Sequence, residues 1–124
     1  MKSEKPTIFR PERSKLAVTF LVLTGTSIMC VASAIDPLRA ANRIVGERHF
    51  DWRIVSVDGK PPVTTSGLPI AVDGRFDAAG KPDVLIVVGG FGTRDLGTPA
   101  LNGSIRRIAR SARAVGGVEA GTWL

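Results

Sequence analysis

Apolar residues follow two rhythms along this chain, and the rhythms alternate. Leu16 to Leu23 is rich in β-formers (Val18, Thr19, Phe20, Val22) and predicts a first strand. Thr24-Gly25-Thr26-Ser27 breaks it. Ile28, Val31, Ile35 and Leu38 then recur at three- and four-residue steps, which is one face of a helix, with Thr26 or Ser27 as its cap. Pro37 follows Asp36 and predicts a kink or a restart capped by Asp36, with the helix ending near Val45-Gly46. A second strand is expected over Trp52 to Val57, closing at Asp58-Gly59, and a loop over Lys60 to Ser66. Leu68, Ile70 and Val72 alternate as a short third strand does, and Asp77 to Lys81 reads as a turn or brief helix. Val84 to Val88 is a continuous apolar run, the mark of a parallel strand buried on both faces. Gly89-Gly90-Phe91-Gly92 ends it. Pro99 to Arg113 reads as a helix, with Leu101, Ile105, Ile108 and Ala112 on one face and four arginines on another. Ala114 to Val118 is the last strand. Strands alternating with helices predict an open parallel sheet covered by helices on both faces.

Composition narrows this picture. The 124 residues suit one small domain, and 44% hydrophobic against 23% charged residues is a globular balance. The net charge of +6 gathers at Lys2, Lys5, Arg10, Arg13 and Lys15, and again at Arg106, Arg107, Arg110 and Arg113. We read these as a disordered tail over residues 1–14 and a solvated helix face, since no nucleic-acid docking motif accompanies them. Cys30 stands alone, so no internal disulfide forms, as suits a reducing compartment. No Cys/His cluster has metal-ligand spacing. Leu16 to Ile35 has no charged residue and is long enough to span a bilayer, and Ala32-Ser33-Ala34 resembles a signal-peptidase site. Its two halves differ in period, however, which favours a strand, a turn and a helix over one continuous span.

The chemistry concentrates at the end of the chain. In GVEAGTWL (Gly117 to Leu124) a short strand meets one polar residue, Glu119, then small residues and an apolar helix start. That is the layout of a nucleophile elbow, but a glutamate stands where a nucleophile would. In open parallel sheets ligands bind beyond the carboxyl ends of the strands. Three loops are predicted there: Thr24 to Ser27, Gly89 to Gly92 and Glu119 to Gly121. Glycine lets backbone approach a ligand, and helix-start N–H groups at Ala120 and Gly121 suit an anion. The candidate binding residues are therefore Glu119, Ala120, Gly89, Gly90, Phe91, Thr26 and Ser27.

Five segments together resemble a known family: IDPLRAANR (Ile35 to Arg43), WRIVSVDG (Trp52 to Gly59), SGLPIAVD (Ser66 to Asp73), VLIVVGG (Val84 to Gly90) and GGVEAGTWL (Gly116 to Leu124). They look like the N-terminal sensor domain of AraC-family transcriptional regulators, of the PfpI-like, class I glutamine-amidotransferase-like superfamily. Subgroups regulating arginine, carnitine or glycine-betaine catabolism look closest. The resemblance covers Leu16 to Leu124. It implies a flavodoxin-like three-layer α/β sandwich that binds a small metabolite, a homodimeric full-length protein in the cytoplasm, and DNA binding through C-terminal helix-turn-helix units. The chain stops just past the elbow. The expectation is a partial domain over 15–124, its sheet incomplete at the C-terminus and the DNA-binding part absent.

Enzymes of the superfamily are the rival reading, with a cysteine at the elbow, an acid on the first helix and a histidine after the elbow. Here Glu119 holds the elbow, Cys30 matches the acid's position, and His49 lies well before the elbow. The expectation is thus a non-catalytic domain without cofactor or metal. Glu119 would face the cationic end of a zwitterionic effector and the loop N–H groups its carboxylate. Phe91 and Trp123 would add cation–π contacts if they turn inward, although a core position for Trp123 is the simpler expectation. A hydrolase or glyoxalase-type fragment, and a small exported or membrane-anchored protein, are the alternatives.

Overall fold

The structure, a computed structural model, describes residues 15–124. The tail expected over residues 1–14 lies outside the described residues. Five strands, β1 (Leu16–Val22), β2 (Phe50–Ser56), β3 (Gly74–Arg75), β4 (Val84–Gly89) and β5 (Ala114–Glu119), form one parallel sheet in the order β3-β2-β1-β4-β5. Among the described residues three α-helices accompany them, α1 (Ile28–Val45) between β1 and β2, and α2 (Thr93–Leu96) and α3 (Pro99–Ser111) between β4 and β5. The parallel α/β layering expected from the alternation is present.

Each face of the sheet has its own core. Leu21, Val55, Leu85 and Val87 pack with Leu101, Ile105 and Ile108 of α3. Val18, Phe20, Val22, Val84 and Val88 pack with Val31 of α1 on the other face. Successive side chains of β1 and β4 thus serve opposite cores, which is why both read as unbroken apolar runs. The uncharged stretch Leu16 to Ile35 divides into the central strand and the first half of α1, and among the described residues no helix is long and apolar enough to cross a membrane.

Ser27 caps α1, its side chain accepting from the Met29 and Cys30 N–H groups, and Gly46 closes the helix with φ 80°. The break expected at Asp36 does not occur: α1 runs through Pro37 without interruption. Proline removes the N–H that the Ser33 carbonyl would receive, but Ser33 and Pro37 both face solvent, where water can serve that carbonyl. Asp36 does not cap a new helix; it accepts two hydrogen bonds from Arg39, at 2.7 and 3.0 Å.

The third strand expected at Leu68 to Val72 is also absent. That segment curls back on the preceding loop through a Val63–Pro69 bridge, with Ile70 N–H donating to the Pro62 carbonyl. Pro69 has no N–H for a ladder, so the chain joins the sheet only at Gly74–Arg75. The helix expected to run to Arg113 stops at Ser111, and α2 had no counterpart in the pattern.

Candidate functional site

The order β3-β2-β1-β4-β5 reverses direction between β1 and β4, so the switch point of the sheet lies beyond their carboxyl ends. All three predicted loops meet there. Gly89 pairs with Glu119 across β4 and β5. The Phe91 N–H donates to the Gly25 carbonyl at 3.1 Å, and the buried Thr26 hydroxyl donates to the Gly89 carbonyl at 3.3 Å.

Glu119 ends β5 with φ 52° and ψ −127°, and it is the only non-glycine with positive φ among the described residues. Such a backbone costs about 1–3 kcal/mol and persists only where the surroundings impose it. Here the Thr122 hydroxyl donates to the Glu119 carbonyl oxygen at 2.9 Å, and Gly121 lies so close under β4 that a side chain there would strike the Val87 carbonyl. The strained, outward-facing turn expected of an elbow is therefore present. It leads into one turn of 3-10 helix, Ala120–Trp123, rather than an α-helix. The Glu119 side chain is exposed, and its carboxylate has no hydrogen-bond or ion-pair partner among the described residues.

The other candidates divide into two groups. Gly89, Gly90, Thr26 and Ser27 hold the loops together. A Cβ on Gly90 would collide with Gly25 and Thr26, and one on Gly89 would lie 2.5 Å from the Thr93 hydroxyl and 2.7 Å from the Gly121 nitrogen. The N–H groups once expected to face an anion are engaged within the loops, Gly90 with the Thr93 hydroxyl at 2.9 Å and Phe91 with Gly25. Glu119 and Phe91 instead project outward, with Ala120 half-buried behind them. Phe91 is 84% exposed. Trp123 is no core residue: it is 64% exposed, and the Arg94 guanidinium stacks 4.6 Å from its ring centroid. Arg94 is a local cation that already occupies one aromatic face. Cys30 packs half-buried beside the α1 core, and the His49 ring meets Phe50 edge-on at 5.1 Å.

A second feature was not legible in the pattern. On the α2 side of the switch point lies a cleft of about 360 Å³. Val22, Leu23, Val57, Pro61, Pro62 and Leu96 supply its apolar surface. Its polar groups come from Thr24, Ser56, Asp58 and Lys60 on one side and Asp95 and Thr98 on the other. A loop and a four-residue helix create this space, and neither has a periodicity long enough to announce itself.

No family model matches the sequence. The chain is 37% identical over 103 residues to the HTH-type transcriptional regulator CdhR of Pseudomonas aeruginosa, an alignment covering 83% of this chain and 30% of that protein. The structure superposes on an AraC family transcriptional regulator from Pseudomonas putida with a TM-score of 0.70 and 29% identity, covering 82% of this chain and 63% of the other. The chain is thus similar in sequence to HTH-type transcriptional regulators, and in sequence and fold to an AraC family regulator. A ThiJ/PfpI family protein from Pseudomonas syringae shares the fold, with a TM-score of 0.68 at 18% identity over 88% of this chain and 44% of the other. The chain spans about a third of the length of the curated regulators it matches.

Proposed function

We propose that this domain senses a small zwitterionic metabolite for an AraC-type regulator and performs no catalysis. The observation that carries this reading is Glu119: a strained elbow raises a carboxylate, without a partner among the described residues, where a nucleophile would stand. A carboxylate there attracts a cation, and among the described residues no acid or base is hydrogen-bonded or ion-paired to it, as covalent chemistry would need. The effector's ammonium faces Glu119, its own carboxylate faces the Ala120–Gly121 turn, and Phe91 lies beside the cation. Amino acids and quaternary amines are the ligand class. In the whole regulator this domain sits in a cytoplasmic homodimer whose DNA contacts come from helix-turn-helix units elsewhere.

Calorimetric titration of the chain with amino acids and quaternary amines tests the reading. Glu119→Ala is expected to weaken binding about tenfold, the scale of one charge-assisted contact. Unchanged affinity removes Glu119 from recognition, and turnover in an esterase or glyoxalase assay overturns the non-catalytic reading.

A further inference from the structure

The cleft beside α2 belongs to no part of the elbow. None of its lining residues comes from the Gly89–Gly92 or Glu119–Gly121 loops. It nevertheless opens at the carboxyl ends of β1 and β2, next to the switch point, where open α/β sheets hold their ligands. Its volume of about 360 Å³ is at the small end for ligand sites and suits a compact molecule.

The charges around it are not equivalent. Asp58 is already engaged: one carboxylate oxygen accepts from the Lys60 N–H at 3.0 Å, while the Ser56 hydroxyl donates to the Lys60 carbonyl at 2.7 Å. The Thr24 and Thr98 hydroxyls accept from the Val63 and Leu101 N–H groups. Asp95 and the Lys60 ammonium have no side-chain partner among the described residues, and both are exposed. An apolar cleft therefore carries one uncommitted charge of each sign, and a neutral or purely apolar ligand would leave both unused.

We infer that this cleft is a second binding site, separate from Glu119, for a small alkylammonium zwitterion whose cation meets Asp95 and whose carboxylate meets Lys60. The N-alkyl groups lie against Val57, Leu96 and Pro62. The inference takes its ligand class from the metabolite-sensing reading and adds a site that the reading does not contain.

The test is calorimetry on the chain with tetramethylammonium and trimethylammonioacetate as probes. Asp95→Asn is expected to weaken both about tenfold. Lys60→Met should weaken trimethylammonioacetate alone. Val57→Trp fills the cleft from a half-exposed position and should abolish binding of both probes there. Unaltered melting of Asp95→Asn would show that the loss is not unfolding. If Asp95→Asn and Val57→Trp bind like the parent while Glu119→Gln does not, the inference falls and the elbow reading stands. If the cleft variants lose binding and Glu119→Gln keeps it, the elbow reading falls and the inference stands. No binding of either probe by the parent chain at millimolar concentration overturns the inference.

Discussion

The elbow and the cleft sit at the same edge of one sheet and are built in opposite ways. The elbow is backbone against backbone: Gly89, Gly90 and Gly121 let β1, β4 and β5 end within contact of one another, and the one side chain lifted clear is Glu119. The cleft is side chains around a space, with Asp95 and Lys60 at its rim and no strained residue among those that line it. Backbone packing fixes a charge in position but encloses nothing. Side-chain lining encloses volume but leaves its charges on short loops and a four-residue helix. Rigid presentation and enclosure are thus divided between two neighbouring places.

This contrast implies unequal responses to substitution. The largest belongs to the elbow backbone. Gly121→Ala drives a methyl group into the Val87 carbonyl, and it should cost about 3 kcal/mol in denaturant unfolding. A loss below about 0.5 kcal/mol would mean the turn is not clamped as described. Next, Glu119→Gly should relieve the positive φ and stabilise the chain by up to about 1 kcal/mol, after the entropy that glycine adds to the unfolded state. A lower melting temperature for this variant would show the turn to be unstrained. At the cleft, Asp95→Asn should change stability by less than about 0.5 kcal/mol, because the carboxylate is exposed and has no partner among the described residues. A larger loss there would erase the distinction between the two regions.

The smallest effect lies outside both, on α1, and gives a reference. The hydrogen bond from Arg39 is the main cause that holds the Asp36 carboxyl below its ordinary 3.8. Arg39→Ala should return it toward that value in an NMR titration. A depressed carboxyl contributes stability above 3.8 and loses it as pH falls through the lower folded value. Any benefit of this pair therefore vanishes in acid and is insensitive to pH near neutrality. Both side chains are exposed, so a melting curve that shifted strongly with pH near neutrality would point to a different pair.

Most of the layering was legible because long runs carry their period clearly. Leu16–Val22 and Val84–Gly89 announce buried strands, and Leu101, Ile105 and Ile108 announce the core face of α3. Pro37 misled because helix breaking depends on whether the orphaned carbonyl is buried, and Ser33 and Pro37 both lie on the exposed side of α1. Leu68, Ile70 and Val72 misled because alternation reports one shielded side and not a ladder; Ile70 packs inward while the segment pairs with its own loop. The elbow was readable from eight consecutive residues. The exposure of Trp123 was not, since Arg94 comes from a helix that the pattern did not reveal. The cleft was hidden for the same reason: Asp95 and Lys60 are distant in sequence and line one cleft only after folding.

The central place of β1 has a consequence for synthesis. Ala17 is joined to Asp83, 66 residues downstream, by an N–H to carboxylate bond of 2.8 Å and by a return bond from the Asp83 N–H. As the polypeptide leaves the ribosome, β1 can find β2 early, yet its other flank stays bare until β4 has been made. During that interval the nascent chain displays an apolar ribbon with unsatisfied main-chain groups, a natural target for chaperones and for neighbouring copies.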